Sequence, residues 1–422
     1  MSDPINIGEK VIEGKTKIVF KLPDSPNGGH VLIRSKDRIT AGDGARANEM
    51  IGKAEISTST ATSIFGLLNE CGVPTHYVRR HSAKEFIALH CHMIPIEFVT
   101  RRVATGSFLR RHPGVKEGYR FCPPLLEYFF KDDANHDPQW SYEQLVEAKL
   151  DIGGVVIGAN EIAQINHMTA CIFEILERAW SVTDCSLIDM KIEFGVVNAT
   201  KEIVLADIID NDSWRLWPSG DRRLQKDKQV YRDMKEITAE GLAVVKKNFE
   251  WVAEQAKKLS RPITGRVAIL MGSAKDAGHV SAIAKVLQSL GVHVEQHVCS
   301  AHKGTVDTLK VLARYEGDDV STVLIAVAGR SNGLGPVLAG NTILPVINCP
   351  PWSESAGSLD AWSSLRLPSG LGCSTVLSTD GAALCAAQML ASNKENSTLW
   401  GRLRARQVMM KVSLLQDDAK IQ

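Results

Sequence analysis

Several features that would place this chain in a special class are missing from its sequence. No apolar run approaches the ~18 residues of a membrane-spanning helix, and the start, Met-Ser-Asp-Pro-Ile-Asn, is not the basic and then apolar stretch of a secretory signal. The nine cysteines include no Cys-x-x-Cys pair, and a formal net charge of +1 gives no overall attraction to nucleic acid. We therefore expect a cytoplasmic protein with reduced thiols, and neither a membrane nor a nucleic acid as its partner.

The length of the chain predicts more than one domain. A single core rarely serves more than about 250–300 residues, and this chain has 422, of which 44% are hydrophobic and 23% charged, as in a globular protein. The segment 257–265 is charged, contains Pro262 and Gly265, and separates two different patterns. We place an N-terminal domain at 1–258, a linker at 259–265 and a C-terminal domain at 266–422.

The N-terminal domain mixes strands and helices irregularly, which indicates an α+β fold. Apolar residues from Ile162 to Leu176 recur at helical spacing and predict an amphipathic helix over 161–180. Strands are predicted for one hairpin that turns at residues 23–28 and for a second hairpin nearer the boundary: 17–21, 29–34, 187–194 and 202–207.

The C-terminal domain alternates strands and helices regularly. Such alternation predicts a doubly wound parallel sheet with right-handed crossovers, a three-layer, flavodoxin-like α/β fold. Strands are expected at 267–271, 292–298, 323–328 and 343–347, and helices around 280–287 and at 305–315, 381–391 and 399–415.

Three polar segments follow strands of this predicted sheet: 272–276, 300–304 and 328–335. Ligands collect at the carboxyl ends of parallel strands, so the three segments point to one crevice. The imidazole of His302 can accept or donate a proton, and Lys303 supplies a charge for a phosphate. Alone, Gly272-Ser273 is equally a plain turn with Asp276 as a helix cap. Together the segments predict a site that moves protons on a small phosphorylated molecule.

Residues 266 to about 392 resemble the class II phosphoribosylaminoimidazole carboxylases of purine biosynthesis. The resemblance depends on four motifs: Met271-Gly272-Ser273-x-x-Asp276, Ser300-Ala301-His302-Lys303-Gly304, Ala328 to Gly335, and Ser363 to Gly372. The related mutase form carries Arg-Thr-Pro after the histidine, so the Lys-Gly of this chain favours direct use of CO2 without ATP or biotin.

The resemblance implies a set of site residues. His302 would be the general base that removes the ring proton after carboxylation, assisted by Lys303, and Gly333 with neighbouring amides would hold the CO2 oxygens as charge develops. Residues implied to bind the nucleotide or CO2 are Ser273, Asp276, Ser300, Arg330, Ser331 and Asn332.

The N-terminal domain has its own charged motifs. In Glu13-Gly14-Lys15-Thr16-Lys17, glycine lets the backbone approach phosphates and two lysines supply charge, although the pattern taken alone favours a basic β-turn. The stretch Arg101 to Ser107 offers a guanidinium fork for a carboxylate or phosphate beside a Gly-Ser turn. Glu193 and Asp207 are either a pair of Mg²⁺ ligands or a solvent-facing cross-strand pattern with Lys191 as counter-charge.

Residues 7 to about 255 resemble phosphoribosylaminoimidazole-succinocarboxamide synthetases. The matching motifs are Glu13 to Lys17, Arg102 to Ser107, Asp132 to Pro138, Ile188 to Gly195, Leu205 to Asp207 and Asp212 to Trp217. The implied ATP contacts are Gly14, Lys15, Lys17 and Lys191, and the implied Mg²⁺ ligands are Glu193 and Asp207. The implied contacts of the imidazole nucleotide are Arg102, Thr105, Gly106, Ser107, Asp212 and Arg215.

The order of the two halves is that of the animal bifunctional enzymes. The resemblance implies that the carboxylated product of the C-terminal site is joined to L-aspartate at the N-terminal site with ATP, in a homo-octamer built on the carboxylase halves. Two other interpretations stay open: a ligase joined to a mutase that needs a carbamate-type substrate, and a nucleotide-binding scaffold without turnover. His302 and the paired acidic residues argue against a scaffold, which would not need them.

Overall fold

The computed structural model describes residues 5–26, 29–41, 46–351 and 358–421. The chain divides into two compact units, one of residues Met1–Ser260 with Arg404–Gln422 and one of residues Arg261–Leu403. We call them the N-terminal and the C-terminal unit. Within the described ranges, no helix is both long and apolar enough to cross a membrane.

The N-terminal unit is built on two larger sheets. One has the order β1-β2-β3-β7-β6, and the other has the order β11-β10-β9-β14-β15, with β8 and β16 also paired to β14. The strands are β1 (Lys10–Glu13), β2 (Lys17–Lys21), β3 (His30–Ser35), β6 (Tyr77–Arg80), β7 (Glu85–Leu89), β8 (Cys91–Met93), β9 (Ile96–Val103), β10 (Arg120–Phe130), β11 (Gln139–Trp140), β14 (Cys185–Val197), β15 (Ile203–Ala206) and β16 (Trp214–Pro218). Two small antiparallel pairs are β4 (Arg38–Ala41) with β5 (Arg46–Glu49), and β12 (Leu150–Ile152) with β13 (Val155–Ile157).

Both predicted hairpins of this unit are confirmed. β2 pairs with β3 from Lys17 opposite Ser35, and β14 pairs with β15 from Glu193 opposite Ala206. Asn27 and Gly28 of the predicted first turn lie outside the described residues.

The helices of the N-terminal unit cover these sheets. They are α1 (Lys53–Cys71), α2 (Ser107–Arg111), α3 (Tyr142–Glu147), α4 (Ala159–Val182), α5 (Gln229–Arg232) and α6 (Ala239–Ala256). The predicted amphipathic helix is α4, and its apolar face from Ile162 to Leu176 is buried. β14, the longest strand, packs against α4 on one side, so its other side is free to carry polar residues into a site.

The C-terminal unit contains the predicted parallel sheet. Its strand order is β18-β17-β19-β20-β21, and the strands are β17 (Arg266–Met271), β18 (His293–Val298), β19 (Thr322–Val327), β20 (Val346–Asn348) and β21 (Ser374–Thr375). The order second-first-third-fourth-fifth is that of flavodoxin-like folds, so the topological switch lies between β17 and β19. A ligand crevice is expected at this point of such a sheet.

Helices α7 (Ala277–Ser289), α8 (Thr305–Glu316), α9 (Leu334–Ala339) and α10 (Ser358–Leu365) lie between these strands along the chain. Helices α11 (Thr379–Ala391) and α12 (Ser397–Ile421) follow β21, and α12 belongs to this unit only as far as Leu403. One core cluster joins Val267, Ile269 and Ile325 to α7 and α11, and another joins Leu270 and Leu324 to α8 and α9. Because successive residues of a strand are buried in opposite cores, the sequence of each such strand is a continuous apolar run. The predicted strand 343–347 is shorter than expected, since Ile343 is 95% exposed and pairing begins at Val346.

Candidate active sites

A charged cavity of about 490 Å³ lies in the N-terminal unit. Alternate residues of β14 (Asp189, Lys191 and Glu193) all line it, as the period of two along a strand requires. Further walls come from β9, β16 and the segment after β15. The cavity is therefore assembled from strands that are distant in sequence but adjacent in the sheet.

Asp189 organises two arginines on one wall of this cavity. Arg101 on β9 and Arg215 on β16 are each directly opposite Asp189 in the strand register. Arg101 Nη1 donates to Asp189 Oδ2 at 2.9 Å, Arg215 pairs with the same oxygen, and Arg101 also pairs with Glu127. Two guanidinium groups held in one place form a strong binding element for a carboxylate or a phosphate.

Arg102 faces away from the cavity. Its guanidinium donates two bonds of 2.7 Å to Glu177 on α4 and one of 2.9 Å to the Phe121 carbonyl. Neighbouring residues of a strand point to opposite faces, so only one of two adjacent arginines can reach the cavity. The structure thus places Arg101, rather than the expected Arg102, in the cavity.

Lysines surround Glu193 at the centre of the cavity. Lys191 and Lys131 each donate to it at 2.8 Å, and Lys191 also contacts Glu97 at 3.0 Å. Although burial opposes ionisation, Lys191, Lys131 and Lys17 lower the pKa of Glu193 to about 2. Burial likewise opposes the charge of Lys191, but Glu193 and Glu97 raise its pKa. Glu193 is therefore ionised and holds the ammonium groups of Lys131 and Lys191 at the cavity.

The turn between β1 and β2 brings two further lysines to the same site. Lys15 lines the cavity and contacts Asp133 at 3.0 Å, while the Gly14 N–H closes the turn onto the Lys17 carbonyl at 2.9 Å. Lys17 pairs with Asp207, which lines the cavity from a left-handed backbone conformation of φ 65° directly after β15. Burial lowers the pKa of Lys17 to about 8, against the attraction of Glu193.

The remaining predicted residues of this half divide into two groups. Ser107 and Asp212 line the cavity, and Gly106 lies against Arg215, since a Cβ there would be 2.6 Å from Nη2. Gly106 also has φ 59°, which favours glycine. Thr105 is buried outside the lining and its hydroxyl contacts Glu117 at 3.2 Å.

Sequence reasoning missed several charged residues of the cavity. Lys131 contacts Glu193, Lys228 contacts Asp212 at 3.0 Å, and the buried Lys53 on α1 lies 3.7 Å from Asp212. No local motif distinguishes these lysines from surface lysines. The burial of Lys53, on a helix otherwise rich in Ser and Thr, is visible only in the structure.

In the C-terminal unit, the three predicted polar segments end three adjacent strands. Met271 of β17 lies opposite both Val298 of β18 and Val327 of β19, so the segments after them begin at the same level of the sheet. This level is the carboxyl edge, beside the topological switch. The fold therefore brings the segments together as the sequence predicts.

His302 and Gly333 come from different segments and lie in contact. A Cβ built on Gly333 would lie 2.8 Å from His302 Nε2 and 2.9 Å from Cε1. The imidazole is exposed and does not point into packed hydrocarbon. The Gly333 N–H, expected to face CO2, already donates to the Ser331 carbonyl at 3.0 Å.

The other predicted residues of this site lie around that contact. Lys303, Arg330 and Ser331 are exposed, and Ser300 Oγ accepts the Lys303 N–H at 3.2 Å. Ser273 Oγ accepts the Lys275 N–H at 3.2 Å, so it caps a 3-10 turn (Ala274–Asp276). Burial raises the pKa of Asp276, with His279 opposing. Asn332 differs from its neighbours because its side chain is buried.

Family models match both halves of the chain. A model described as SAICAR synthetase matches residues 10–248, and one described as AIR carboxylase matches residues 266–412.

Curated relatives match over the full length. The multifunctional protein ADE2 of Gallus gallus is 57% identical over 418 residues, which cover 99% of this chain and 97% of the relative. The bifunctional phosphoribosylaminoimidazole carboxylase/phosphoribosylaminoimidazole succinocarboxamide synthetase of Homo sapiens is 57% identical over 421 residues, covering 100% of this chain and 98% of the relative.

Solved structures match the N-terminal half. A type-2 SAICAR synthetase in complex with ADP covers 59% of this chain and 98% of its own, at 29% identity and a TM-score of 0.51. The phosphoribosylaminoimidazole-succinocarboxamide synthase of Ehrlichia chaffeensis has the same coverage, at 27% identity and a TM-score of 0.52.

Fold and sites thus define a two-part enzyme of purine biosynthesis, with a ligase half before a lyase half. More narrowly, the chain belongs to the family of bifunctional phosphoribosylaminoimidazole carboxylases/phosphoribosylaminoimidazole succinocarboxamide synthetases.

Proposed function

We propose that this chain catalyses two consecutive reactions. The C-terminal site carboxylates aminoimidazole ribonucleotide with CO2, using neither ATP nor biotin. The N-terminal site then joins the product to L-aspartate while ATP becomes ADP and phosphate. We assign the ligase to residues 1–258 and the carboxylase to residues 266–422. The observation that supports this best is the convergence of charged residues from separate strands on one cavity of the N-terminal unit, and the C-terminal unit has its own group of polar segments at the sheet switch.

In the carboxylation, C4 of the electron-rich imidazole attacks the carbon of CO2 and a C–C bond forms. The adduct must lose the ring proton at C4 to regain aromaticity. His302 Nε2 accepts this proton, since it is the ring nitrogen beside Gly333. Lys303 and Arg330 are exposed cations next to it and attract the nucleotide phosphate, while Ser273, Asp276, Ser300 and Ser331 supply hydrogen bonds.

In the ligation, a carboxylate oxygen of the nucleotide takes the γ-phosphoryl group of ATP. The amino group of aspartate then attacks the acyl carbon, and phosphate leaves as the amide forms. Arg101 and Arg215 hold the reacting nucleotide, with Ser107 and Asp212 beside it. Lys15 and Lys191, which line the cavity, neutralise the phosphates of ATP together with Lys17, which pairs with the lining residue Asp207. Gly14 gives the backbone room to approach.

Glu193 and Asp207 would hold Mg²⁺ in this site. Both carboxylates line the cavity, and both contact ammonium groups, so each position already attracts cations. Among the described residues, no group of three or more His, Cys, Asp and Glu side chains could hold a metal alone. Mg²⁺ normally combines one or two carboxylates with substrate phosphates, so this pair fits it. The ion would neutralise charge on the transferring phosphoryl group.

We also propose a cellular location and an oligomeric state. Cytoplasmic placement agrees with nine free cysteines, since such thiols persist in reducing compartments. A homo-octamer built on the carboxylase halves follows from the family resemblance.

The direct test supplies aminoimidazole ribonucleotide, bicarbonate, aspartate and Mg-ATP to the purified chain. We expect the succinocarboxamide nucleotide, detected by mass spectrometry. Its absence with folded protein would end the proposal.

Two matched variants assign the steps. His302→Asn should abolish carboxylation and leave ligation of supplied carboxylated nucleotide intact. Glu193→Gln should do the reverse, because a neutral amide of nearly the same volume replaces a proposed Mg²⁺ ligand that also holds Lys131 and Lys191. Loss of both activities in either folded variant would contradict the separation of sites.

A further inference from the structure

Asn332 has a different environment from the residues around it. Arg330 and Ser331 are exposed, whereas Asn332 is only 3% exposed. Its Nδ2 donates to Ser364 Oγ at 2.7 Å, and its Oδ1 accepts the Gly335 N–H at 3.3 Å. Its backbone N–H donates to Ser363 Oγ at 2.8 Å. The side chain is therefore engaged within the protein and is covered from any ligand.

The partner of Asn332 is itself held firmly. Ser364, near the end of α10, is fully buried, and its carbonyl accepts the Thr375 hydroxyl at 2.9 Å and Asn348 Nδ2 at 3.4 Å. Thr375 lies on β21 and Asn348 ends β20. Through Ser364, the segment after β19 is thus linked to the ends of the next two strands.

This linked segment carries the residue that touches the imidazole. Gly333 follows Asn332 directly, and His302 lies so close to it that a methyl group at position 333 would not fit. Gly335 is equally close to β20, since a Cβ there would lie 1.7 Å from Asn348 Oδ1. A shift of the segment would therefore move the surface against which His302 rests, and a displacement of about 1 Å at a reacting centre costs on the order of 100-fold in rate.

We infer that Asn332 is a positioning residue of the carboxylase site, which acts through Ser364 to fix Gly333 against His302 and makes no contact with substrate. This inference rests on the proposed carboxylase function and changes the ligand-binding role that the family resemblance implied for Asn332.

The test compares Ser364→Ala, Asn332→Ala and the double variant in the full chain. Each single variant should lower kcat for carboxylation by about 10- to 100-fold and leave KM for aminoimidazole ribonucleotide unchanged. The double variant should be no worse than Asn332→Ala, because contacting residues that act as one unit are not additive. Circular dichroism and thermal unfolding of the same samples report on folding, and ligation of supplied carboxylated nucleotide should stay at the wild-type level.

Ser289→Ala is the matched control. Its hydroxyl donates to the Val286 carbonyl on the exposed side of α7, so both activities should stay at the wild-type level. A raised KM with intact kcat in Asn332→Ala would mean a ligand contact and would overturn the inference. Wild-type kcat in Ser364→Ala would overturn it as well.

A second variant decides the matter if Ser364→Ala does not fold. Thr375→Val keeps the side-chain shape and removes the hydroxyl that holds the Ser364 carbonyl. A reduced kcat at unchanged KM supports the inference, and an unchanged kcat refutes it. If the wild-type chain itself does not carboxylate, the proposed function fails instead, which separates the two outcomes.

Discussion

At the scale of single residues, Arg101 and Arg102 are adjacent in sequence and serve opposite faces of β9. Arg101 lines the ligase cavity, whereas Arg102 joins β9 to Glu177 on α4. We expect Arg101→Lys to raise KM for the carboxylated nucleotide by about 10- to 100-fold, because a lysine loses the two-pronged contact worth about 1.5–3 kcal/mol.

Arg102→Lys is the matched control for this prediction. It should lower the free energy of unfolding by about 1–3 kcal/mol, since part of the contact with Glu177 is lost. Its KM values should stay near the wild type. Kinetics and thermal unfolding of both variants check the pair, and the opposite pattern would contradict the assigned faces.

The two arginines also show the limit of sequence reasoning. The charged stretch was recognisable, but the choice between neighbours depends on strand register, which no local pattern gives. Lys131 and Lys228 were missed for a related reason, since each becomes part of the site only through a contact distant in sequence. By contrast, Lys191 and Glu193 were recognisable because their spacing matches the strand period.

Lys17 gives a prediction for pH. Burial lowers its pKa to about 8, so its charge disappears as the pH rises through this value. Since we assign Lys17 to the phosphates of ATP, KM for ATP should increase between about pH 7 and pH 9 (roughly one unit either side of the midpoint). Lys17→Arg should remove this dependence, because a guanidinium stays protonated. A pH dependence that persists in Lys17→Arg would assign the titration to another group.

At the scale of elements, the segment between β19 and α9 packs closely against His302. Gly333 has φ −74°, which any residue adopts, so glycine is needed there for space alone. Gly333→Ala should push the imidazole aside and lower carboxylation by about 100-fold, with ligation unchanged. The rates of both reactions in one sample measure this.

Gly278→Ala is the control for that substitution. A Cβ at Gly278 meets nothing within 4 Å, and the residue lies in α7, where alanine is the better helix former. Both activities should be retained. Equal loss in the two variants would mean that any added methyl group disturbs this unit.

Regular elements were easier to predict than functional ones. The parallel sheet followed from repeated apolar runs and helices, and Gly291 was recognisable as the end of α7, where φ is 77°. β9 and β10 were not predicted, because they carry buried charges such as Arg101 and Glu127 where an ordinary strand is apolar. The predicted start of the strand at Ile343 was wrong because a short apolar run does not reveal whether its residues are buried.

At the scale of the whole molecule, the chain is nearly neutral, with 49 Lys and Arg against 48 Asp and Glu. Attraction of anionic substrates must then come from local groups, such as the lysines around Glu193. The residues that we assign to each reaction lie within one unit: the described cavity lining spans 15–232, and the proposed carboxylase residues span 273–333. We therefore expect each reaction to proceed without residues from the other unit.

This independence predicts complementation between two defective chains. A mixture of His302→Asn and Glu193→Gln, supplied with aminoimidazole ribonucleotide, bicarbonate, aspartate and Mg-ATP, should form the succinocarboxamide after a lag. The lag arises because the carboxylated nucleotide must leave one protein and accumulate before the other uses it. Adding more of the His302→Asn chain, which supplies only ligation, should shorten the approach to steady state. If each chain keeps its single activity but the mixture yields no product, the intermediate never enters solution, and the two sites must exchange it within one chain or assembly.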